Sequence, residues 1–103
     1  MSDKVYVMTN DKTTKHAQAR FFSRYGREIS VEELRHIQDM LRYQLNDTQY
    51  IGRVKRGVED SYLSCYHGTF DEIEFFALCD PETLVIVTFL KEDHINHFEE
   101  LEL

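Results

Sequence analysis

The chain has 103 residues, a formal net charge of −7 and 42% hydrophobic residues, which is enough apolar material for the core of one compact domain. It has no apolar run near the roughly 20 residues of a membrane span, and its N-terminus lacks the basic start and apolar block of a signal peptide. The acidic balance argues against a high-affinity duplex binder, whose phosphate contacts need excess lysine and arginine. We expect a single cytoplasmic domain over residues 1–103 that makes no membrane contact.

A short strand and a helix are predicted first along the chain. The short apolar segment Val5–Met8 has the composition of a strand and is followed by a polar turn. Either Thr13 or Thr14 can cap a helix that starts there and runs to Tyr25. We expect this helix to stop at Gly26, because glycine readily adopts the left-handed conformation that ends many helices.

The second predicted helix has the clearest start. Ser30 stands three residues before Glu33, which is the spacing of a reciprocal capping box. Ile29, just before the cap, is expected to pack as a hydrophobic staple against Leu34. Apolar residues then recur at three and four, as a helix facing a core requires: Val31, Leu34, Ile37, Leu41 and Leu45. We expect the segment LNDTQ to end this amphipathic helix.

From residue 49 the apolar period changes to two, which indicates strands. Four strand-like segments follow in order: QYIGRVKR, SYLSCYH, IEFFALC and LVIVTFL. The segments GVED, GTFDE and DPET between them have turn composition. The last run is the most apolar, so we expect it to be a central strand buried on both faces. The acidic C-terminal stretch is either a weakly packed short helix or a frayed tail, and the helical spacing of Ile95, Phe98 and Leu101 favours the helix.

This element order predicts the fold class. Helices followed by a run of strands are typical of α+β domains with an antiparallel sheet. We expect two N-terminal helices packed on one face of an antiparallel sheet of four or five strands, with a short C-terminal helix. The two cysteines, Cys65 and Cys79, both lie in strand-like apolar runs and are expected to be buried free thiols. Together with five scattered histidines they do not form a zinc pattern, so we expect no metal and no cofactor.

Charge is distributed unevenly between the two halves of the chain. Residues 1–56 carry 11 basic and 7 acidic side chains, whereas residues 57–103 carry 1 basic and 12 acidic ones. In the basic half, His16, Arg20 and Arg24 recur at steps of four, which places them along one line of the first helix. Three interpretations of this line are open: a solvated face paired with the chain's own acids, a phosphate or nucleotide site, and a docking surface for a protein.

Three motifs together resemble the RelE-like branch of the small endoribonuclease superfamily, which includes barnase-like and colicin-type toxins. They are the helix HAQARFFSRYG, the capped helix SVEELRHIQDML and the ending DPETLVIVTFL, in this order over roughly residues 5–90. The resemblance implies metal-independent RNA cleavage through attack of the neighbouring 2′-hydroxyl. His16, Arg20 and Arg24 match the helix motif, and Thr88 matches the threonine of the final strand.

The resemblance also suggests RNA contacts in the strands. Arg53, Lys55 and His67 lie where the superfamily often places phosphate-binding and acid/base groups. For the first two, the alternative is an edge strand protected by charge. Tyr62 and Tyr66 are expected to pack across strands, and stacking on an RNA base is the alternative.

Three functions follow as hypotheses. The chain is an endoribonuclease of the RelE toxin type, or a RelE-fold protein of phage or mobile-element type that binds and inhibits another protein, or an immunity or antitoxin-type inhibitor of a basic nuclease. We favour protein binding, because the net charge is acidic. The two binding hypotheses predict one contiguous exposed acidic face, formed by Asp71, Glu72, Glu74, Glu99, Glu100 and Glu102.

Overall fold

A computed structural model describes residues 11–55 and 61–92 of the chain. Its elements are α1 (Asp11–Tyr25), α2 (Val31–Tyr43), β1 (Gln49–Lys55), β2 (Tyr62–Phe70), β3 (Ile73–Cys79) and β4 (Ile86–Leu90). The strands form an antiparallel sheet in the order β1-β2-β3-β4. The predicted α+β class is therefore confirmed. The predicted strand Val5–Met8 and the predicted C-terminal helix lie outside the described residues.

Helix α1 ends where the sequence indicates, but it begins earlier than predicted. Gly26 follows its last residue with φ of 75°, and its N–H donates to the Phe22 carbonyl at 2.8 Å. Thr13 and Thr14 are not caps, since the helix is already formed at Asp11. The two threonines lie within the first turn and are half-buried there.

Helix α2 has the predicted capping box at its start. The Glu33 N–H donates to the Ser30 hydroxyl at 3.1 Å, and the Ser30 N–H donates to the Glu33 carboxylate at 2.9 Å. The helix ends at Tyr43, and Gln44 follows in the left-handed conformation with φ of 51°. Leu45 was expected to extend the apolar stripe, but it lies beyond the helix end and is exposed.

The main core lies between the two helices and one face of the sheet. Its buried members are Ala17, Phe21, Ile29, Leu34, Ile37, Met40, Leu41, Phe75, Ala77, Cys79, Ile86 and Phe89. Helix α1 packs along β4, where the Phe21 and Phe89 rings meet edge to face with centroids 5.0 Å apart. The packing of both helices on one face of the sheet agrees with the predicted layer arrangement.

A second apolar cluster lies on the opposite face of the sheet. It contains Val54, Leu63, Cys65 and Leu78, with Phe76, Val87 and Leu90 packed against it. Strand β2 therefore alternates as predicted, with Leu63 and Cys65 on the face opposite to Tyr66. Cys65 and Cys79 are both buried free thiols, which confirms that prediction.

The last strand differs from the prediction in position and length. It is the end strand of the described sheet, and it begins at Ile86. Leu84 has φ of 60° and belongs to the preceding turn, whose Asp80 side chain accepts from the Glu82 and Thr83 amides at 2.8 and 3.0 Å. Strand β4 contributes to both apolar clusters, with Phe89 on one face of the sheet and Val87 on the other. This explains why its sequence is almost continuously apolar although it is not a central strand of the described sheet.

The hairpin between β2 and β3 has a two-residue turn. Strand β2 continues through Phe70, so only Asp71 and Glu72 form the turn that was predicted over GTFDE. Their φ values of 50° and 66° are those of a type I′ turn. This turn places two carboxylates at one end of the sheet. Within residues 11–55 and 61–92, no helix has the length and apolar character needed to cross a membrane.

Candidate binding surface on helix α1

The predicted cationic line lies on the flank of α1, at the border between core and solvent. His16 is exposed, while Arg20 and Arg24 are half-buried. Lys12, one turn earlier, is exposed and continues the same step of four, a signal that the sequence interpretation missed. We call Lys12, His16, Arg20 and Arg24 the cationic row. Its twelve-residue span corresponds to about 18 Å along the helix.

Packing of α1 on β4 fixes the orientation of the row. The Tyr25 hydroxyl accepts from the Phe76 N–H at 3.0 Å and donates to the Leu90 carbonyl at 2.5 Å. Burial raises the pKa of Tyr25 to about 12. Arg24 Nε donates to the Phe89 carbonyl at 3.2 Å, so the last cation of the row is bound to the sheet edge.

Within the described part of the chain, the row has no carboxylate partner. Lys12, His16 and Arg20 form no hydrogen bond or ion pair there, and Arg24 bonds a carbonyl. Arg27, by contrast, lies 3.0 Å from a Glu33 oxygen. The interpretation of the row as a face paired with the chain's own acids is thus not supported by the described residues.

Thr88, predicted with the catalytic residues, and His67, predicted as an RNA or phosphate contact, do not join the row. Thr88 pairs in register with Leu78, on the sheet face that points away from the helices. His67 stacks on Phe76 with ring centroids 4.8 Å apart, also on that face. The sheet therefore separates Thr88 and His67 from the row. The sequence could not show this, because the sheet face on which a side chain lies depends on the register of its strand.

The other predicted RNA contacts, Arg53 and Lys55, lie on β1 at the far end of the described sheet from β4. Three strand spacings separate these two strands, about 14 Å. The Arg53 guanidinium lies 4.4 Å from the centroid of the Tyr62 ring. The rings of Tyr50 and Tyr66 contact edge to face at 5.5 Å, in agreement with the predicted cross-strand packing. Arg53 and Lys55 thus belong to a separate surface.

The predicted acidic face is partly occupied by side chains of the chain itself. Asp71 lies 3.1 Å from Arg27, and Glu74 lies 2.8 Å from His67 Nε2. Glu72 is exposed in the hairpin turn. Glu99, Glu100 and Glu102 lie outside the described residues, so one continuous acidic surface stays a prediction.

Arg27 joins the end of the hairpin to the start of α2. Its guanidinium contacts Glu33 and Asp71 and lies 5.4 Å from the centroid of the Phe70 ring. The Glu33 hydrogen bond raises the pKa of Arg27, and the same bond lowers the pKa of Glu33. These residues line a polar groove of about 360 Å³ with His36. Arg27 and the two carboxylates therefore link the hairpin to α2, because both carboxylates already bind the Arg27 guanidinium.

No protein family, curated protein or solved structure matches the chain. The RelE-like resemblance therefore stays a prediction. Among residues 11–55 and 61–92, no group of three or more His, Cys, Asp and Glu side chains is arranged to hold a metal ion.

Proposed function

We propose that this domain acts by binding another protein, and that the cationic row contacts acidic side chains of the partner. The observation that carries the proposal is that the row has no carboxylate partner within the described residues. The chain has a formal net charge of −7, and three of its carboxylates have partners in the described structure: Glu33 and Asp71 bind Arg27, and Glu74 lies against His67. A helix flank that no described carboxylate neutralises suits a partner that brings its own carboxylates.

Protein binding is supported over RNA cleavage by the dispersion of the candidate groups. Cleavage through a 2′-hydroxyl needs a base, an acid and cations around one phosphate. Thr88 and His67 lie across the sheet from the row, and Arg53 lies at its far end. The net negative charge also disfavours a long polyanion more than a local acidic patch.

The proposal includes the RelE-like fold as a framework without catalysis. The order of two helices and four antiparallel strands supports this framework, as does the motif order of the sequence. A fold does not determine activity, so a non-catalytic member that inhibits or modulates a partner is compatible with it. The proposed role is therefore that of a small binding inhibitor, of the kind that phages and mobile elements encode.

The test is quantitative affinity capture with a matched pair of charge reversals. Wild type, Arg20→Glu and Arg35→Glu are immobilised at equal density and exposed to the same lysate, with and without ribonuclease. Arg35 is the control, because it is an exposed arginine on α2 and lies outside the row. Thermal melting of each variant shows that it is folded.

We expect wild type and Arg35→Glu to retain the same defined protein. Its recovery on Arg20→Glu should be about tenfold lower, because one attractive contact becomes repulsive. Ribonuclease should leave its recovery unchanged. Equal recovery on all three proteins, or recovery that ribonuclease abolishes, would overturn the proposal. The second result would point to RNA as the ligand.

A further inference from the structure

Helix α1 carries a second feature suited to binding, on the flank opposite to the cationic row. Phe22 follows Arg20 by two residues, which is a rotation of about 200° around the helix axis. The Phe22 side chain is 52% exposed, although its neighbour Phe21 is fully buried in the core. Phenylalanine is enriched at protein interfaces relative to the rest of the surface, so Phe22 suits contact with a partner.

A groove of about 320 Å³ lies beside Phe22. It forms where the segment between α1 and α2 turns back along α1, and Gln18 Nε2 donates there to the Ile29 carbonyl at 2.8 Å. The other residues that line the groove are Ala19, Phe22 and Glu28. The groove therefore has room for a large side chain of a partner next to an exposed aromatic ring.

Charges on this flank differ from those of the row. Glu28 is an exposed lining residue of the groove and has no ion pair among residues 11–55 and 61–92. Lys15 is exposed about two turns before Phe22 on the same side of α1. One acid and one base give this flank no clear preference for charge, so it suits an uncharged apolar side chain.

The geometry of α1 favours a helix as the partner element. The backbone groups of α1 are paired within α1, so its exposed face offers no backbone pairing to an extended segment. A helix satisfies its own backbone groups and presents carboxylates at steps of four, with the same spacing of about 6 Å as the cationic row. Between its two flanks α1 presents the small exposed residues Ala19 and Ser23, which allow a helix to approach closely.

We propose that the partner contacts α1 through an amphipathic acidic helix that covers both flanks together. Carboxylates on one side of that helix face the cationic row, and a large apolar side chain enters the groove beside Phe22. Binding of a helix in this way uses apolar anchors for affinity, and the charges set its orientation. The inference rests on the proposed function, because it names the partner element that contacts the row.

The test uses ¹⁵N-labelled full-length protein and a hydrocarbon-stapled helical peptide with glutamates at steps of four and leucines on the adjacent side. A second stapled peptide has serine in place of leucine. A third, unstapled peptide keeps the composition of the first but contains D-residues, which disrupt a right-handed helix. The protein variants are Phe22→Ser, Arg20→Glu and Tyr43→Ser. Tyr43 is the matched control, because it is an aromatic residue on α2 that is 65% exposed.

We expect the stapled peptide to shift α1 amides on both flanks, around Phe22 as well as along the row. Its dissociation constant should be about tenfold higher for Phe22→Ser and for Arg20→Glu, and unchanged for Tyr43→Ser. The serine and D-residue peptides should also bind about tenfold more weakly to wild type.

Equal affinity of wild type and Phe22→Ser, or of the helical and D-residue peptides, would overturn the inference. If Arg20→Glu still lost binding in that case, the row would remain a protein-binding site, and only the helix and the groove would be excluded. No shift of any α1 amide at millimolar peptide would contradict the inference and the proposed function together.

Discussion

The hydroxyl of Tyr25 and the backbone amide of Phe76, 51 positions apart in sequence, are joined by a hydrogen bond of 3.0 Å. The same hydroxyl donates to the Leu90 carbonyl, so one side chain bridges β3 and β4 from the end of α1. Phe76 and Leu90 are register partners, and the hydroxyl lies where their strands meet. This bridge fixes the end of the helix that carries the cationic row.

Replacement of Tyr25 by phenylalanine should therefore destabilise the fold. Tyr25→Phe removes the partner of one half-buried N–H and one C=O, and we expect a loss of about 1–3 kcal/mol in the free energy of unfolding. Urea denaturation measures it. Tyr43→Phe is the matched control, because Tyr43 is largely exposed, and it should leave stability unchanged. Equal unfolding midpoints for the two variants would contradict the bridge.

The raised pKa of Tyr25 predicts a loss of stability at high pH. Burial favours the neutral phenol, so the pKa of about 12 in the fold exceeds the ordinary value of 10.0. The contribution of neutral Tyr25 to the free energy of unfolding is complete below pH 10 and is lost as pH rises toward 12, because the Tyr25 phenol loses its proton at lower pH in the unfolded chain. Denaturation midpoints between pH 9 and pH 12 should fall more steeply for wild type than for Tyr25→Phe. Parallel curves would show that Tyr25 is not the group responsible.

The hairpin turn gives a prediction of increased stability. Glu72 has φ of 66°, a left-handed conformation that glycine adopts at lower cost. Glu72→Gly should raise the free energy of unfolding by about 1 kcal/mol. Glu82→Gly is the contrast, since Glu82 is exposed in a turn but does not have positive φ, and it should be neutral or destabilising. Destabilisation by Glu72→Gly would argue against the type I′ geometry.

Thr48 provides a further test of the packing. Its hydroxyl oxygen is buried and has no hydrogen-bond partner among residues 11–55 and 61–92, and the residue is only 3% exposed. Thr48→Val keeps the shape and removes a desolvated hydroxyl, so we expect stability to stay equal or rise by about 1 kcal/mol. Thr48→Ser keeps the hydroxyl and loses a methyl group, and should destabilise. Thermal melts of both variants check the order, and a large loss with valine would reveal a hidden partner of the hydroxyl.

The local elements could be predicted from sequence because their signals are local. The capping box at Ser30 and the glycine after Tyr25 both mark helix boundaries through contacts within a few residues. The sheet face on which Thr88 lies could not be predicted in the same way. It depends on the register of β4 against β3, which shifts between Leu78 and Cys79. A one-residue change of register turns a strand side chain to the other face.

The candidate site was predictable only as a pattern of charges. The step of four placed His16, Arg20 and Arg24 on one flank, and that geometry is confirmed. Whether these cations were paired depended on which acids the fold brings near them. Among the described residues, Asp71 lies by Arg27 and Glu74 lies by His67, through contacts that join residues distant in sequence or across a hairpin.

The central claim is that the flank of α1 touches a protein, and site-specific photo-crosslinking tests it most directly. A benzoylphenylalanine replaces Ser23, which is exposed on α1 beside Arg20 and Arg24, and in a control replaces Asp39, exposed on α2. We predict a discrete protein adduct from position 23 that is absent from position 39 and abolished by Arg20→Glu. No adduct from position 23, or an adduct that consists of RNA, would contradict the claim.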